Sequence, residues 1–277
     1  MKKKRSWLHI VKMVLAAYGL MGVALYYLQE PILFRGVRVP DDTIYHFQQP
    51  FSETGIDMDA STHIDLIQFH ATDTPQKGVV LYFHGNREGV RHYTDRVAPF
   101  TKNGYEVWMP DYPGYGKSTG KRTEQGLYDE ALQVYKLART HYRPDQIIIY
   151  GRSLGTGIAA ELAAIRDCRM LFLETPYYSL YSLVGIYAWM YPLKTMLHFH
   201  FPVYAYLPKV TAPVHIIQGT NDWTIPYFHA AKLKPLLKKG DSFLTIPGGS
   251  HNNLNSFPQM QNLIDSLLAG ENDKSKR

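Results

Sequence analysis

At 277 residues, 45% hydrophobic and 19% charged, the chain carries enough apolar material for one large domain with a buried core, which excludes a wholly disordered protein. The formal net charge of +6 draws heavily on Lys2, Lys3, Lys4, Arg5 and Lys12, leaving a near-neutral body without a basic cluster, so no nucleic-acid partner is expected. A single cysteine, Cys168, excludes an intramolecular disulfide and a cysteine-rich metal site; set between Asp167 and Arg169, it matches no nucleophile motif and reads as a structural thiol.

The first predicted element is a membrane anchor. Residues 13–28 run without a charge, after Trp7-Leu8-His9-Ile10-Val11 and interrupted only by Lys12, close to the roughly 20 apolar residues that span a bilayer. A cleaved signal peptide begins in the same way, but no small-x-small site follows; Tyr26-Tyr27-Leu28-Gln29-Glu30-Pro31 is bulky, which favours an uncleaved helix. Lys2 to Arg5 outweigh Arg35 and Arg38 on the far side, so the positive-inside rule puts the N-terminus in the cytoplasm and the body across the membrane.

The expected organisation is a basic tail and anchor at 1–30, a juxtamembrane linker at 31–54, a catalytic domain at 55–270 and a charged tail at 271–277. Candidate strands follow at 63–71, 79–83, 106–109, 147–150, 170–174, 214–218 and 242–246, several of them short apolar runs suited to buried parallel strands. Helix-period segments lie between them, as at 124–141, where Leu127, Ala131, Val134, Leu137 and Ala138 share a face. Strands alternating with helices predict an α/β fold with a doubly wound, mostly parallel sheet, and in such sheets ligands bind beyond the carboxyl ends of the strands.

The loops that follow those strands carry the candidate chemistry. His84-Gly85-Asn86 comes first, and the Asn86 backbone N–H is a candidate oxyanion donor. The next loop, from Asp111 to Ser118, reads as a structural turn in which Asp111 accepts backbone N–H bonds. Gly151-Arg152-Ser153-Leu154-Gly155 then fits G-x-S-x-G, a pattern that chance supplies with a probability of roughly 0.1 when Gly and Ser each occur at about 7%. Context gives the match its weight: a β-branched strand precedes it and a helix follows. A sharp turn there strains Ser153, lifts its hydroxyl to the helix head, and makes the Leu154 N–H a second oxyanion donor. A serine hydroxyl needs a base, and the base needs an acid to fix its tautomer. His251, after two glycines at the last strand end, is the candidate base; Asp222, after the preceding strand, is the candidate acid, with Glu174 as its rival.

This ordered set resembles the serine-hydrolase branch of the α/β-hydrolase superfamily over roughly residues 55–270. Within it the likeness is to membrane-anchored members related to depalmitoylating thioesterases and lysophospholipid lipases, carried by His84-Gly85-Asn86, Asp111-Tyr112-Pro113-Gly114-Tyr115-Gly116-Lys117-Ser118, the motif around Ser153, Gly219-Thr220-Asn221-Asp222 with Ile225-Pro226, and Gly249-Ser250-His251-Asn252. The chain departs from those relatives at Glu88-Gly89, where a second Gly-Asn pair is usual, and at Pro113, where Arg is common. The resemblance implies that the insertion 175–213 forms a cap over the nucleophile. Its many aromatic residues suit an apolar acyl substrate or the cap's own core, and Tyr177, Tyr178 and Trp189 are the candidate substrate contacts. The expected activity is hydrolysis of an ester or thioester of a small-molecule or lipid acyl substrate, with neither metal nor organic cofactor needed. A serine peptidase or amidase on the same triad, as in serine aminopeptidase-like relatives, is the second reading, and a non-catalytic membrane-bound binding protein the third.

Overall fold

The computed structural model describes residues 2–73 and 75–269, so the tail expected at 271–277 lies outside the described residues. In chain order the elements are α1 (Lys2–Leu33), β1 (Arg35–Gly36), β2 (Phe51–Asp57), β3 (His63–Phe69), β4 (Gly78–Phe83), β5 (Arg87–Glu88), α2 (Ala98–Thr101), β6 (Tyr105–Pro110), α3 (Glu124–Arg139), β7 (Ile147–Arg152), α4 (Gly155–Ile165) and β8 (Met170–Glu174). A cap follows, built on α5 (Leu180–Ala188), α6 (Leu193–Met196) and α7 (Val203–Tyr206), and the chain returns through β9 (Val214–Gly219), α8 (Tyr227–Ala230), β10 (Ser242–Ile246) and α9 (Pro258–Ala269).

Eight strands form one sheet in the order β10-β9-β8-β7-β4-β6-β3-β2. The pairings from β10 to β6 are parallel, while β3 runs antiparallel to both β6 and β2. Side chains alternate across the buried strands, as the two-residue period of a strand requires. Val79, Leu81, Phe83, Ile147 and Ile149 enter the core beneath α3 and α4, while Val80, Tyr82, Ile148 and Tyr150 enter the opposite core with Phe100 of α2 and Ile264 of α9. The expected doubly wound sheet is therefore present, with an antiparallel edge.

That edge corrects the expectation for residues 31–54. The segment is part of the fold: Phe34, Val39 and Tyr45 are buried, and β2 begins at Phe51. Its alternation was hidden because β2 lies at the sheet edge, where both faces stay partly open to water and Ser52, Glu53 and Thr54 are tolerated. Helix α1 also runs past Glu30, through Pro31, to Leu33. Proline removes one intrahelical donor, but the end of the helix is held by Phe34 N–H donating to Glu30 O at 2.8 Å and by a 2.9 Å Arg122–Glu30 ion pair. The stretch Trp7–Leu33, with mean hydropathy 1.8, is long and apolar enough to cross a membrane.

Helix α3 illustrates how the sequence builds the layer. Thr123 caps it by accepting from Gly126 N–H at 3.0 Å, and Leu127, Ala131, Val134 and Ala138 face the sheet. Burial of Leu127 and of Val134 each contributes about 1.5–3 kcal/mol. Glu130, on the same helix, is buried too, and its carboxyl is pushed up to about 8, first by burial and then by the Asp129 charge. A raised carboxyl pKa means that the fold favours the proton. Its contribution is complete below the unfolded value near 4.5 and is lost as pH rises towards about 8. Glu130→Gln is therefore expected to melt a few degrees above the parent at about pH 9 and close to it at about pH 4, as measured by thermal denaturation across that range.

Candidate active site

The turn after β7 has the predicted shape. Ser153 has φ 51°, in the left-handed region that L-residues rarely adopt. Its N–H donates to Glu174 O at 2.9 Å and its carbonyl accepts from Thr156 N–H at 3.0 Å, so the turn is fastened to β8 on one side and to α4 on the other. A side chain at Gly155 would place its Cβ 2.0 Å from Phe83 O; only glycine lets the helix head approach β4 that closely.

Three strand ends converge on that hydroxyl. His251 Nε2 stands 3.0 Å from Ser153 Oγ, and His251 Nδ1 stands 2.8 Å from Asp222 Oδ2. An ionised Asp222 can only accept, which puts the ring proton on Nδ1 and leaves Nε2 free to accept from serine. Asp222 is itself fixed by N–H bonds from Thr224 at 2.9 Å and Ile225 at 2.8 Å, and by Gln218 Nε2 at 3.2 Å. The acid and base loops touch through their backbones, with Asn221 N–H donating to Gly249 O at 2.8 Å. Ser153 and Asp222 are buried, and His251 is partly buried, its side chain 12% exposed.

The rival acid has a different task. Glu174 is fully buried, 3.0 Å from Arg96 Nη1 and 3.2 Å from Arg152 Nε, and it accepts from Tyr150 OH at 2.7 Å. Burial alone would raise its pKa, but Arg152 and Arg96 outweigh that and hold it below the usual carboxylate value. Burial likewise opposes the charge of Arg152, and the Glu174 carboxylate more than offsets it. The two arginines then reach the base loop: Arg152 Nη2 donates to His251 O at 2.7 Å and to Asn252 Oδ1 at 3.0 Å, and Arg96 Nη2 donates to Asn252 O at 2.7 Å. Sequence reasoning missed both as positioning residues. The available signal was Arg152 itself, a cation inside a buried strand beside Glu174 in register on β8, since a charge so placed needs a partner.

The Asn86 and Leu154 N–H groups, the two candidate oxyanion donors, donate to no partner among the described residues. The Asn86 carbonyl is held by Arg35 N–H and by Tyr115 OH, both at 2.9 Å, and Tyr112 OH holds His84 O at 2.8 Å. Asp111 accepts from Val90 N–H at 2.8 Å, so it braces the loop of His84 to Gly89 and not merely its own turn.

The three cap aromatics expected to contact substrate occupy three different settings. Tyr177 is buried, and its OH donates to Leu154 O at 2.9 Å, tying the cap's start to the head of α4. Tyr178 stacks on Tyr204 at 4.6 Å, and its N–H donates to His229 Nδ1 at 3.3 Å. Trp189 projects outward, 77% exposed. An apolar cavity of ≈ 240 Å³ is lined by none of the three; its walls are mainly aliphatic, from α1 and the cap, with the Phe199 ring, and Gln29 and Asn86 line it as well. Aromatic content alone does not distinguish a ring that packs a cap from one that meets a ligand. Cys168 is partly buried, and burial pushes its thiol up to about 12, which disfavours the thiolate.

A doubly wound sheet with a strained serine at the turn after a central strand, and with histidine and aspartate on later strand ends, defines the α/β-hydrolase class. A family model described as serine aminopeptidase, S33, matches residues 74–202. Alpha/beta hydrolase domain-containing protein 17B of Homo sapiens is 30% identical over 198 residues, 70% of this chain and 67% of that one. Alpha/beta hydrolase domain-containing protein 17C of Xenopus tropicalis is 30% identical over 196 residues, 69% of this chain and 62% of that one, so this chain spans somewhat less than two thirds of the latter's length. Among solved structures, an esterase of Pyrococcus furiosus, Pf2001, aligns with a TM-score of 0.61 at 18% identity, covering 83% of this chain and 98% of that one. Est1E from Butyrivibrio proteoclasticus aligns with a TM-score of 0.61 at 16% identity, covering 78% and 97%. The chain belongs to the α/β-hydrolase superfamily.

Proposed function

We propose that this protein is a membrane-anchored serine hydrolase that cleaves carboxylic esters or thioesters of an apolar acyl group. The observation that carries the reading is the unbroken hydrogen-bonded run from Ser153 through His251 to Asp222. Ser153 Oγ attacks the acyl carbonyl carbon while His251 Nε2 takes its proton, and the Asn86 and Leu154 N–H groups hold the resulting oxyanion. Collapse of that intermediate breaks the bond to the alcohol or thiol, which leaves with the proton from His251. Water then attacks the acyl-enzyme by the same route, releasing the acid and restoring Ser153. Asp222 orients the ring and stabilises its charged form throughout. In this reading α1 is the anchor, with its N-terminus on the cytoplasmic side and the catalytic domain across the membrane.

A peptidase or amidase on the same triad is the second reading, favoured by the description of the family model that matches residues 74–202. The decisive experiment treats the full chain with a fluorophosphonate, identifies the labelled peptide by mass spectrometry, and compares acyl esters and thioesters with aminoacyl amides. Labelling at Ser153 with faster cleavage of esters is expected. A preference for amides selects the second reading, and absence of labelling overturns both.

A further inference from the structure

Of the features outside the triad, the apolar cavity beside Asn86 says most about substrate. Leu25 and Ile32 of α1 face Leu180 and Val184 of α5 and Phe199 of the cap, and Asn86 completes the lining. Gln29 adds no free polar group, because its side chain docks helix to cap: Nε2 donates to Met196 O at 2.9 Å and Oε1 accepts from His198 N–H at 2.7 Å. At ≈ 240 Å³ the space exceeds the roughly 150 Å³ apolar cavity that accepts benzene, and the same scaling gives room for about ten carbons.

The contacts of α1 fix where this cavity sits relative to a bilayer. Tyr18 stacks on Tyr191 at 4.6 Å and donates through its OH to Met190 O at 3.0 Å, so the tip of the cap lies level with Tyr18. From Trp7 to Tyr18 the helix rises only about 17 Å, well short of the roughly 30 Å hydrocarbon core. If α1 spans the membrane, residues beyond Tyr18 stay inside it, and the cap tip goes in with them. The tip is composed for that place, with Tyr187 68%, Trp189 77% and Met190 51% exposed. A second apolar groove, between Gly19, Gly22 and Val23 of α1 and Tyr191, Pro192 and Met196 of the cap, runs beside the helix at this depth.

Resting on the hydrolase reading above, we infer that α1 is a wall of the substrate site: the cavity between α1 and the cap holds the acyl chain of a bilayer-resident ester or thioester, which enters laterally along the helix with its carbonyl at the Asn86 N–H. The acyl chain stays in apolar surroundings from membrane to cavity, so only the scissile group meets the polar site.

The test uses the full chain in phosphatidylcholine nanodiscs, with p-nitrophenyl palmitate and p-nitrophenyl acetate as probes and each variant's Tm as the fold control. Ile32→Trp and Val184→Trp, which fill the cavity, are expected to lower the palmitate-to-acetate ratio of kcat/KM by about tenfold or more, whereas Ile165→Trp, on the far end of α4, leaves it unchanged. A ratio that is unchanged in both filled variants overturns the inference. Occupancy is read without turnover by irradiating Ser153→Ala with a diazirine-bearing palmitic acid. Crosslinks on the peptide carrying Leu180 to Phe199 support the site, and their absence there overturns it. If the parent hydrolyses neither ester and takes no fluorophosphonate, the hydrolase reading fails; crosslinking to that peptide then still shows an acyl-binding cavity.

Discussion

Replacing Ser153 with alanine is expected to lower kcat by about 10⁵–10⁶-fold and to abolish fluorophosphonate labelling, while Tm moves by no more than a few degrees. The kinetic loss is large because the attacking atom is gone, and His251 and Asp222 then act on nothing. The thermal effect is small because the change removes one hydrogen bond, at 3.0 Å to His251, worth about 1 kcal/mol net. Alanine inherits the positive φ of 51° with its strain, so the backbone cost of the turn stays in place. Steady-state hydrolysis of the best ester beside a thermal melt separates the two effects. Residual activity within tenfold of the parent would sink Ser153 as the nucleophile.

The second large effect divides the two acids. Asp222→Asn is expected to lower kcat by about 10⁴-fold with little change in Tm, because an amide in that position favours the wrong imidazole tautomer. Glu174→Leu is expected to do the reverse first: it leaves Arg96 and Arg152 buried without their shared carboxylate, at a cost of about 3–5 kcal/mol, which for a domain of this size lowers Tm by roughly 10 °C. Activity at low temperature falls only as far as the loop carrying His251 loosens, since Arg152 and Arg96 hold that loop through His251 O and Asn252. The pH dependence has a definite sign. Glu174 sits below its ordinary pKa, so its contribution is present above about 4.5 and disappears as pH falls further. Melts from about pH 7 down to pH 3 should therefore show a steeper acid loss in the parent than in Glu174→Leu. An Asp222→Asn variant of full activity, or a Glu174→Leu variant of unchanged Tm, contradicts the division of labour.

What the sequence made legible follows from where its information is local. Ser153, Asp222 and His251 each stand directly after a short apolar strand, and a parallel sheet brings its carboxyl ends to one edge, so three loop motifs far apart in the chain become neighbours by topology alone. The positions of Asn86 and Leu154 followed from the same loops. The roles of Tyr177, Tyr178 and Trp189 did not, because a ring's composition is the same whether it packs against Gly157 and Phe201, stacks on Tyr204 or faces outward. Strand β2 was obscured by its partly solvated edge. The task of Arg152 was obscured by the motif around it, which drew attention to the serine and left its buried neighbour unexplained. The segment 31–54, expected as a juxtamembrane linker, packs into the body through Phe34, Val39 and Tyr45, whose wide spacing leaves no periodic signal in the sequence.

That segment also joins two parts of the chain that lie far apart in the sequence. The strand that leaves α1 pairs with β5, Arg35 against Arg87, and donates from Arg35 N–H to the carbonyl of Asn86 itself. The apolar helix and the loop carrying Asn86 are thus successive stitches of one seam. Cutting the chain after Phe34 to obtain a shorter fragment would strip Leu25, Gln29, Ile32 and Leu33 from one side of the cavity. On the reading proposed above, such a fragment is expected to discriminate acyl-chain length poorly, making it a poor surrogate for the 277-residue chain.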